Sequence, residues 1–221
     1  MKLRVENTTL RDQIYEIIHD MILERQILPG EKILEEDLAT KIGVSRTPIR
    51  ECLCRLENEG IIEFIPRRGA FLRKYSRKKI AEIFDMREVL EGLVARLVAS
   101  TDHGQSFYDQ IRRVLDRVYE LPDKGENLTQ FTKADVEFHR LLLDVCDNEI
   151  LRNAMGVINT HLRIIRARTV VIPGRARRTV EEHYGVLEAV EKQEPKVAEE
   201  LMRRHVASVR DHAVNAPIFG D

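Results

Sequence analysis

Leu10, Ile14, Ile17, Ile18, Met21 and Ile22 recur at steps of three or four residues. That spacing predicts a helix with one apolar stripe, ended by the turn signal Leu28-Pro29-Gly30. A second short helix over 35–42 turns Leu38, Ala39 and Ile42 inward and stops at Gly43, a residue that tolerates the left-handed conformation of a helix end. Ser45 then stands where an N-cap hydroxyl accepts a free backbone N–H, and Pro48 falls in the first turn, where its missing N–H does no harm. Ile49, Leu53 and Leu56 give the third helix its buried face. Two β-prone runs, Ile61–Ile65 and Ala70–Leu72, flank Pro66-Arg67-Arg68-Gly69 and predict a hairpin.

After Ser76 the period stays helical to the end of the chain. Ser76 caps a helix to about 100 with Ile80, Ile83, Phe84, Leu90, Leu93, Val94 and Leu97 expected inward. Further helices are expected over 107–121, 128–147, 149–169, 177–192 and 195–215, with a break at Pro173-Gly174. The expected fold is mainly α. A winged helix-turn-helix with a small α/β wing occupies residues 1–75, and an all-α bundle of six helices occupies 76–221.

Charge changes this picture locally. The formal net charge of −1 gives no global basic field, yet 65–79 holds Arg67, Arg68, Arg73, Lys74, Arg77, Lys78 and Lys79 without one acidic residue. A patch of that density beside a helix-turn-helix suits phosphate contact. Arg46 and Arg50 share a face at the start of the third helix, where they can enter a DNA groove. No apolar run is long enough for a membrane span and no signal-peptide pattern opens the chain, so a soluble cytoplasmic protein is expected. Cys52, Cys54 and Cys146 lack zinc spacing and read as reduced structural thiols.

The run from Pro29 to Leu72, through G-V-S-R-T-P-I-R-E, closely resembles the N-terminal winged helix-turn-helix of GntR-family bacterial transcription regulators. The resemblance covers about residues 10–73. It implies that Arg46 and Arg50 touch bases or adjacent phosphates, that Ser45 and Thr47 bind backbone, and that Arg68 and Gly69 at the wing tip reach the minor groove. Some members carry arginine in the second helix where this chain has Glu36, so that contact does not transfer.

The bundle carries metal chemistry. Asp135 and His139 are an i, i+4 pair on one helix face. His183 and His205 each lie eleven residues from Glu194, so a tight antiparallel hairpin sets them at one height. Three imidazoles and a carboxylate suit zinc, nickel, cobalt, manganese or iron(II) and leave positions open for a ligand. Asp135-Val136-Glu137-Phe138-His139, Glu182-His183 and Met202-Arg203-Arg204-His205 look like the FCD effector domain of the FadR subfamily, over residues 77–215. Six helices rather than seven suggest its VanR-like branch. The resemblance implies a divalent transition metal, zinc foremost, on Asp135, His139, His183 and His205, with a small carboxylate as effector.

Arg87 falls beside the apolar stripe and has two readings: a bidentate anchor for a carboxylate effector, or an ion pair with Glu91 four residues on. The resemblance favours the effector role. Asn159 and Arg163 are weaker candidates of the same sort, whereas His19, His103, His161 and His212 read as structural or exposed. The expected function is a ligand-responsive transcriptional regulator that binds a palindromic operator as a homodimer. The alternative is a metal-dependent hydrolase or lyase with an accessory DNA-binding domain, although no H-E-x-x-H is present.

Overall fold

The computed structural model describes residues 9–24, 26–122, 127–169 and 175–215. Its contacts divide the chain into two compact units, 1–75 and 76–221. In chain order the elements of the first are α1 (Leu10–Leu23), β1 (Lys32–Ile33), α2 (Glu35–Ile42), α3 (Arg46–Asn58), β2 (Ile62–Ile65) and β3 (Gly69–Leu72). The second holds α4 (Arg77–Ala99), α5 (Gln105–Tyr119), α6 (Leu128–Val145), α7 (Glu149–Thr169), α8 (Arg175–Glu191) and α9 (Pro195–Val214). The expected break at Pro173-Gly174 lies outside the described residues.

Local chemistry accounts for the ends of the first unit's helices. Thr9 and Asp12 form a reciprocal capping box at the start of α1. Glu35, Glu36 and Asp37 place negative charge on the first turn of α2, where the helix dipole favours it. Gly43 ends α2 at φ 79° and gives its N–H to Ala39 O at 2.9 Å. That left-handed residue turns the chain sharply enough for α3 to begin three residues later. The core of the unit gathers Ile14, Ile18, Ile49, Leu53, Leu56, Ile61, Ile62 and Leu72.

Two expectations about α1 are corrected. Leu10 and Ile17 are exposed, and the ring-bearing Tyr15 and His19 are buried instead. The buried face is thus rotated toward the side that carries the aromatic residues, which have more surface to lose. Ile42 is only half-buried.

The hairpin is a three-stranded antiparallel sheet of order β1-β3-β2. Ile62 pairs with Leu72 and Ile65 with Gly69, while Lys32 and Ile33 add a short third strand on the other edge of β3. Two residues give too little alternation for β1 to show in the sequence. Arg67 at φ 63° and Gly69 at φ 99° bend the tip back on itself.

In the bundle α4 packs most extensively on α9, and α8 and α9 form an antiparallel hairpin. Phe138, Val94, Ile111, Leu115, Leu142, Val186, Met202 and Val206 are buried between the helices. On α4 the inward face differs from the expected one. Ile80, Ile83, Phe84 and Val94 are buried, but Leu90, Leu93 and Leu97 are only half-buried, and Arg87, Glu91, Gly92, Ala95, Val98 and Ala99 take the interior. The helix has two apolar stripes. The buried one is interrupted by ionic and small residues, so the leucine-rich one looks like the core.

Candidate metal centre and nucleic-acid interface

One turn of α6 aligns Asp135 and His139, while α8 and α9 bring in His183 and His205. One donor atom from each of the four lies within 4.8 Å of every other. His183 Nε2 and His205 Nε2 are 3.2 Å apart, and Asp135 Oδ1 stands 3.7 Å from His183 Nε2 and 3.6 Å from His139 Nε2. The three imidazoles are buried, and Phe138 stacks on the His183 ring with centroids 3.9 Å apart.

Carboxylates behind the rings orient them. His205 donates its Nδ1–H to Glu182 Oε2 at 2.8 Å, which leaves its Nε2 lone pair facing the cluster. Glu91 Oε2 stands 3.1 Å from His139 Nδ1, favouring the same tautomer there. Arg87 Nη2 meanwhile donates to His139 Nε2 at 2.9 Å. This arrangement, carboxylate behind imidazole, raises ligand basicity in metal sites.

The protonation energetics agree for two of the rings. Burial holds His183 well below its ordinary value, helped by the neighbouring rings. Burial likewise takes His205 down to about 4 in spite of Glu182. His139 is the exception: burial works to lower it, but the charge of Glu91 and the contacts with Asp135 and Glu91 together outweigh that and lift it. Burial would raise Glu182, but hydrogen bonds from His205 and Arg175 bring it down to about 2. Neutral imidazoles with converging lone pairs are what a cation needs and what two buried rings 3.2 Å apart otherwise lack a reason to adopt. The donor set therefore fits a divalent transition metal.

Beside the cluster lies a cavity of about 140 Å³. Asp135, His183 and Arg87 border it, and Phe84, Leu115, Phe131, Ile165, Val180 and Val209 make its walls apolar. Arg87 is fully buried, its Nε stands 3.5 Å from Glu91 Oε1 as the ion-pair reading has it, and the residue also lines the cavity. Asn159 and Arg163 do not line the cavity, and α7 contributes Ile165 there instead. Periodicity on α7 could not choose between adjacent faces, and the neighbour at the cavity is the apolar one.

His19 and His161 are buried, and His103 is half-buried with Nε2 3.0 Å from Val98 O. His212 is half-buried, borders the cavity and gives its Nδ1–H to Ser208 O. Sequence reading named Glu91 only as a partner of Arg87 and Glu182 only within the Glu182-His183 motif, and it missed Arg175. Glu182 sits next to His183 in the chain, but nothing local says that its partner is His205.

In the first unit α3 presents Arg46, Thr47 and Arg50 to solvent. Ser45 is the N-cap of α3 by backbone, yet its side chain makes no capping hydrogen bond, contrary to the expectation. The first-turn N–H groups of α3 and the Ser45 hydroxyl are thus left for an outside acceptor such as phosphate. Arg46 and Arg50 both lean on Glu35 of α2, at 3.5 and 3.7 Å. Both arginines are largely exposed, so pairs of this length hold them in place for well under about 1 kcal/mol each and yield readily to DNA. At the sheet tip the Arg68 guanidinium lies 5.2 Å over the Phe71 ring, and Gly69 completes the turn.

A winged helix-turn-helix in one unit and a helical bundle with an apolar-walled cavity in the other define a two-part DNA-binding protein. Family models agree: "Bacterial regulatory proteins, gntR family" matches residues 10–72 and "FCD domain" matches 82–208. The chain belongs to the GntR family of bacterial transcriptional regulators, among the members with an FCD effector domain. It is 28% identical over 193 residues to the HTH-type transcriptional regulator YdhC of Bacillus subtilis, covering 87% of this chain and 86% of the relative. It is 26% identical to the "Probable D-xylose utilization operon transcriptional repressor" of Paenarthrobacter nicotinovorans, covering 93% of this chain and 89% of that one. The fold is shared with a GntR regulator from Rhodococcus sp. RHA1 (TM-score 0.71, 19% identity, 93% of this chain and 98% of that one). It is also shared with McbR/YncC of E. coli (TM-score 0.70, 15% identity, 91% and 95%). The family is one of regulators, which sets aside the enzymatic alternative. Among the described residues no helix is long and apolar enough to cross a membrane.

Proposed function

We propose that this regulator binds a palindromic operator as a homodimer and senses a small carboxylate at a divalent metal, zinc foremost. The observation that carries the reading is the convergence of Asp135, His139, His183 and His205 at the edge of a cavity with apolar walls. A metal there supplies Lewis acidity for one ligand oxygen. Arg87 is the second anchor: a cation held by His139 Nε2 would displace the hydrogen bond that Arg87 Nη2 now gives it and would free that donor for a carboxylate in the cavity. The cavity's 140 Å³ is close to the ~150 Å³ that holds a benzene-sized molecule, so a short acid fits and a long acyl chain does not.

On the DNA side, Arg46 and Arg50 read bases or adjacent phosphates, Ser45 and Thr47 take backbone, and Arg68 with Gly69 enters the minor groove. A homodimer is supported by the second stripe of α4, where Met86 and Val89 are exposed beside half-buried Leu90, Leu93 and Leu97. Two-fold protein symmetry then matches a two-fold operator. For the acid to act as a signal it must bind the DNA-competent and DNA-incompetent states unequally, and operator DNA must change acid affinity by the same factor.

Metal-stripped protein titrated into upstream DNA, with and without zinc and a panel of hydroxy-, keto- and sugar acids, tests the proposal. The expected result is acid-dependent DNA binding only in the metal-loaded protein. Stoichiometric metal that survives in the Asp135→Ala, His139→Ala double variant would refute the site. A zinc response that needs no acid would make the metal itself the signal.

A further inference from the structure

Arg175, the first residue of α8, is buried against the cavity with only 10% of its side chain exposed. Its Nη2 donates to Glu182 Oε2 at 2.8 Å, but Nε and Nη1 are buried with no hydrogen-bond partner, and the side chain lines the cavity. Leaving two nitrogens of a guanidinium, with three N–H groups between them, unmet costs folding free energy, so a site that keeps them buried beside a pocket is built to receive an acceptor. Ala176, next in the chain, also lines the pocket.

Glu182 does not satisfy Arg175 by itself. Its Oε2 is shared with His205 Nδ1 at 2.8 Å, and its Oε1 accepts from Arg178 at 3.1 Å. That sharing also sets the spacing: Arg175 Nη2 and His205 Nδ1 touch one oxygen, so they are no more than twice that contact distance apart. Arg175 thus stands one short molecule's length from the metal donors, with apolar Val180 and Phe131 among the lining residues. Charge points the same way. Arg87, Arg175 and a divalent cation outweigh Asp135, Glu91 and Glu182 by one positive charge, and Arg178 on the solvent side of Glu182 adds another.

We propose that the cavity selects a short diacid, one carboxylate going to the metal and the other to Arg175. This rests on the metal-and-carboxylate reading of the site and narrows it. Calorimetry on the zinc-loaded full chain with succinate, succinamate and butyrate tests it. Succinamate replaces one carboxylate by a neutral amide, and butyrate replaces it by a methyl. A charge-assisted pair at Arg175 makes succinate bind about ten- to a hundredfold tighter than either. Arg175→Gln brings succinate down to the level of butyrate, with zinc content and folding checked in parallel by elemental analysis and circular dichroism. Equal affinity for succinate and succinamate in the unaltered protein overturns the proposal without need of any variant, as does an undiminished succinate preference in Arg175→Gln. Failure of the underlying reading looks different: none of the three acids then binds, or all bind equally well to metal-free protein.

Discussion

Glu182→Gln tests whether the carboxylate behind His205 tunes the metal. The substitution keeps the side chain's shape and an acceptor oxygen for His205 Nδ1–H, removes the charge, and exchanges the oxygen that accepts from exposed Arg178 for an amide nitrogen. The bond it alters is 2.8 Å long and reaches a fully buried ring. Charge-assisted hydrogen bonds are about twice as strong as neutral ones, so the imidazole loses basicity and Nε2 becomes a poorer ligand. Removal of such outer carboxylates typically weakens metal binding about 10–100-fold, or roughly 1.4–2.7 kcal/mol. Competition with a chromophoric zinc chelator at pH 7 measures this directly. Glu181→Gln is the control, since it removes the same charge from an exposed neighbour. At physiological ionic strength such an exposed charge is largely screened beyond about 8 Å, so Glu181→Gln should hardly move zinc affinity. Equal affinities for the two variants would refute the orienting role of Glu182.

Three further outcomes are expected. Metal-free protein should lose stability as pH falls from 6.5 toward 4. His205 is held down to about 4 when folded, so the unfolded chain binds more protons throughout that window, and the loss approaches about 3 kcal/mol in urea titrations at stepped pH. A flat profile across that range would show that the ring is not buried neutral. Arg46→Ala and Arg50→Ala should each cost about 1–3 kcal/mol of operator affinity in gel-shift titrations, whereas Arg68→Ala should weaken specific and non-specific DNA alike. Equal losses on both kinds of DNA for all three would deny Arg46 and Arg50 a reading role. Gly69→Ala should destabilise the first unit by about 1–3 kcal/mol, because φ 99° strains any L side chain and the new Cβ meets Lys32 Cε at 3.3 Å. An unchanged denaturation midpoint would mean that the wing relaxes to another turn.

Much of this molecule is decided within short stretches of chain. The helix-turn-helix follows from Gly43, Ser45, Pro48 and the spacing of Ile49, Leu53 and Leu56, all acting over one or two turns of backbone. The pairing of Asp135 with His139 is equally local, and the common height of His183 and His205 follows from the turn before Pro195. Such features are legible because helical geometry converts residue spacing directly into position.

What needed the tertiary structure is everything set by rotation of one helix against another. The two apolar stripes of α4 are equivalent by period, and only the packing of α4 on α9 decides that Arg87 and Glu91 go inside while Leu90 and Leu93 stay at the edge. Burial of an ion pair there opposes the hydrophobic pattern and is compensated by His139, a partner 52 residues away in the chain. The Ser45 hydroxyl without its cap, the partnership of Glu182 with His205, and the open donors of Arg175 are likewise products of assembly. Side-chain type and local spacing determine which donors a chain can offer, whereas the direction in which each is aimed, and what remains unmet when all are packed, belongs to the folded whole.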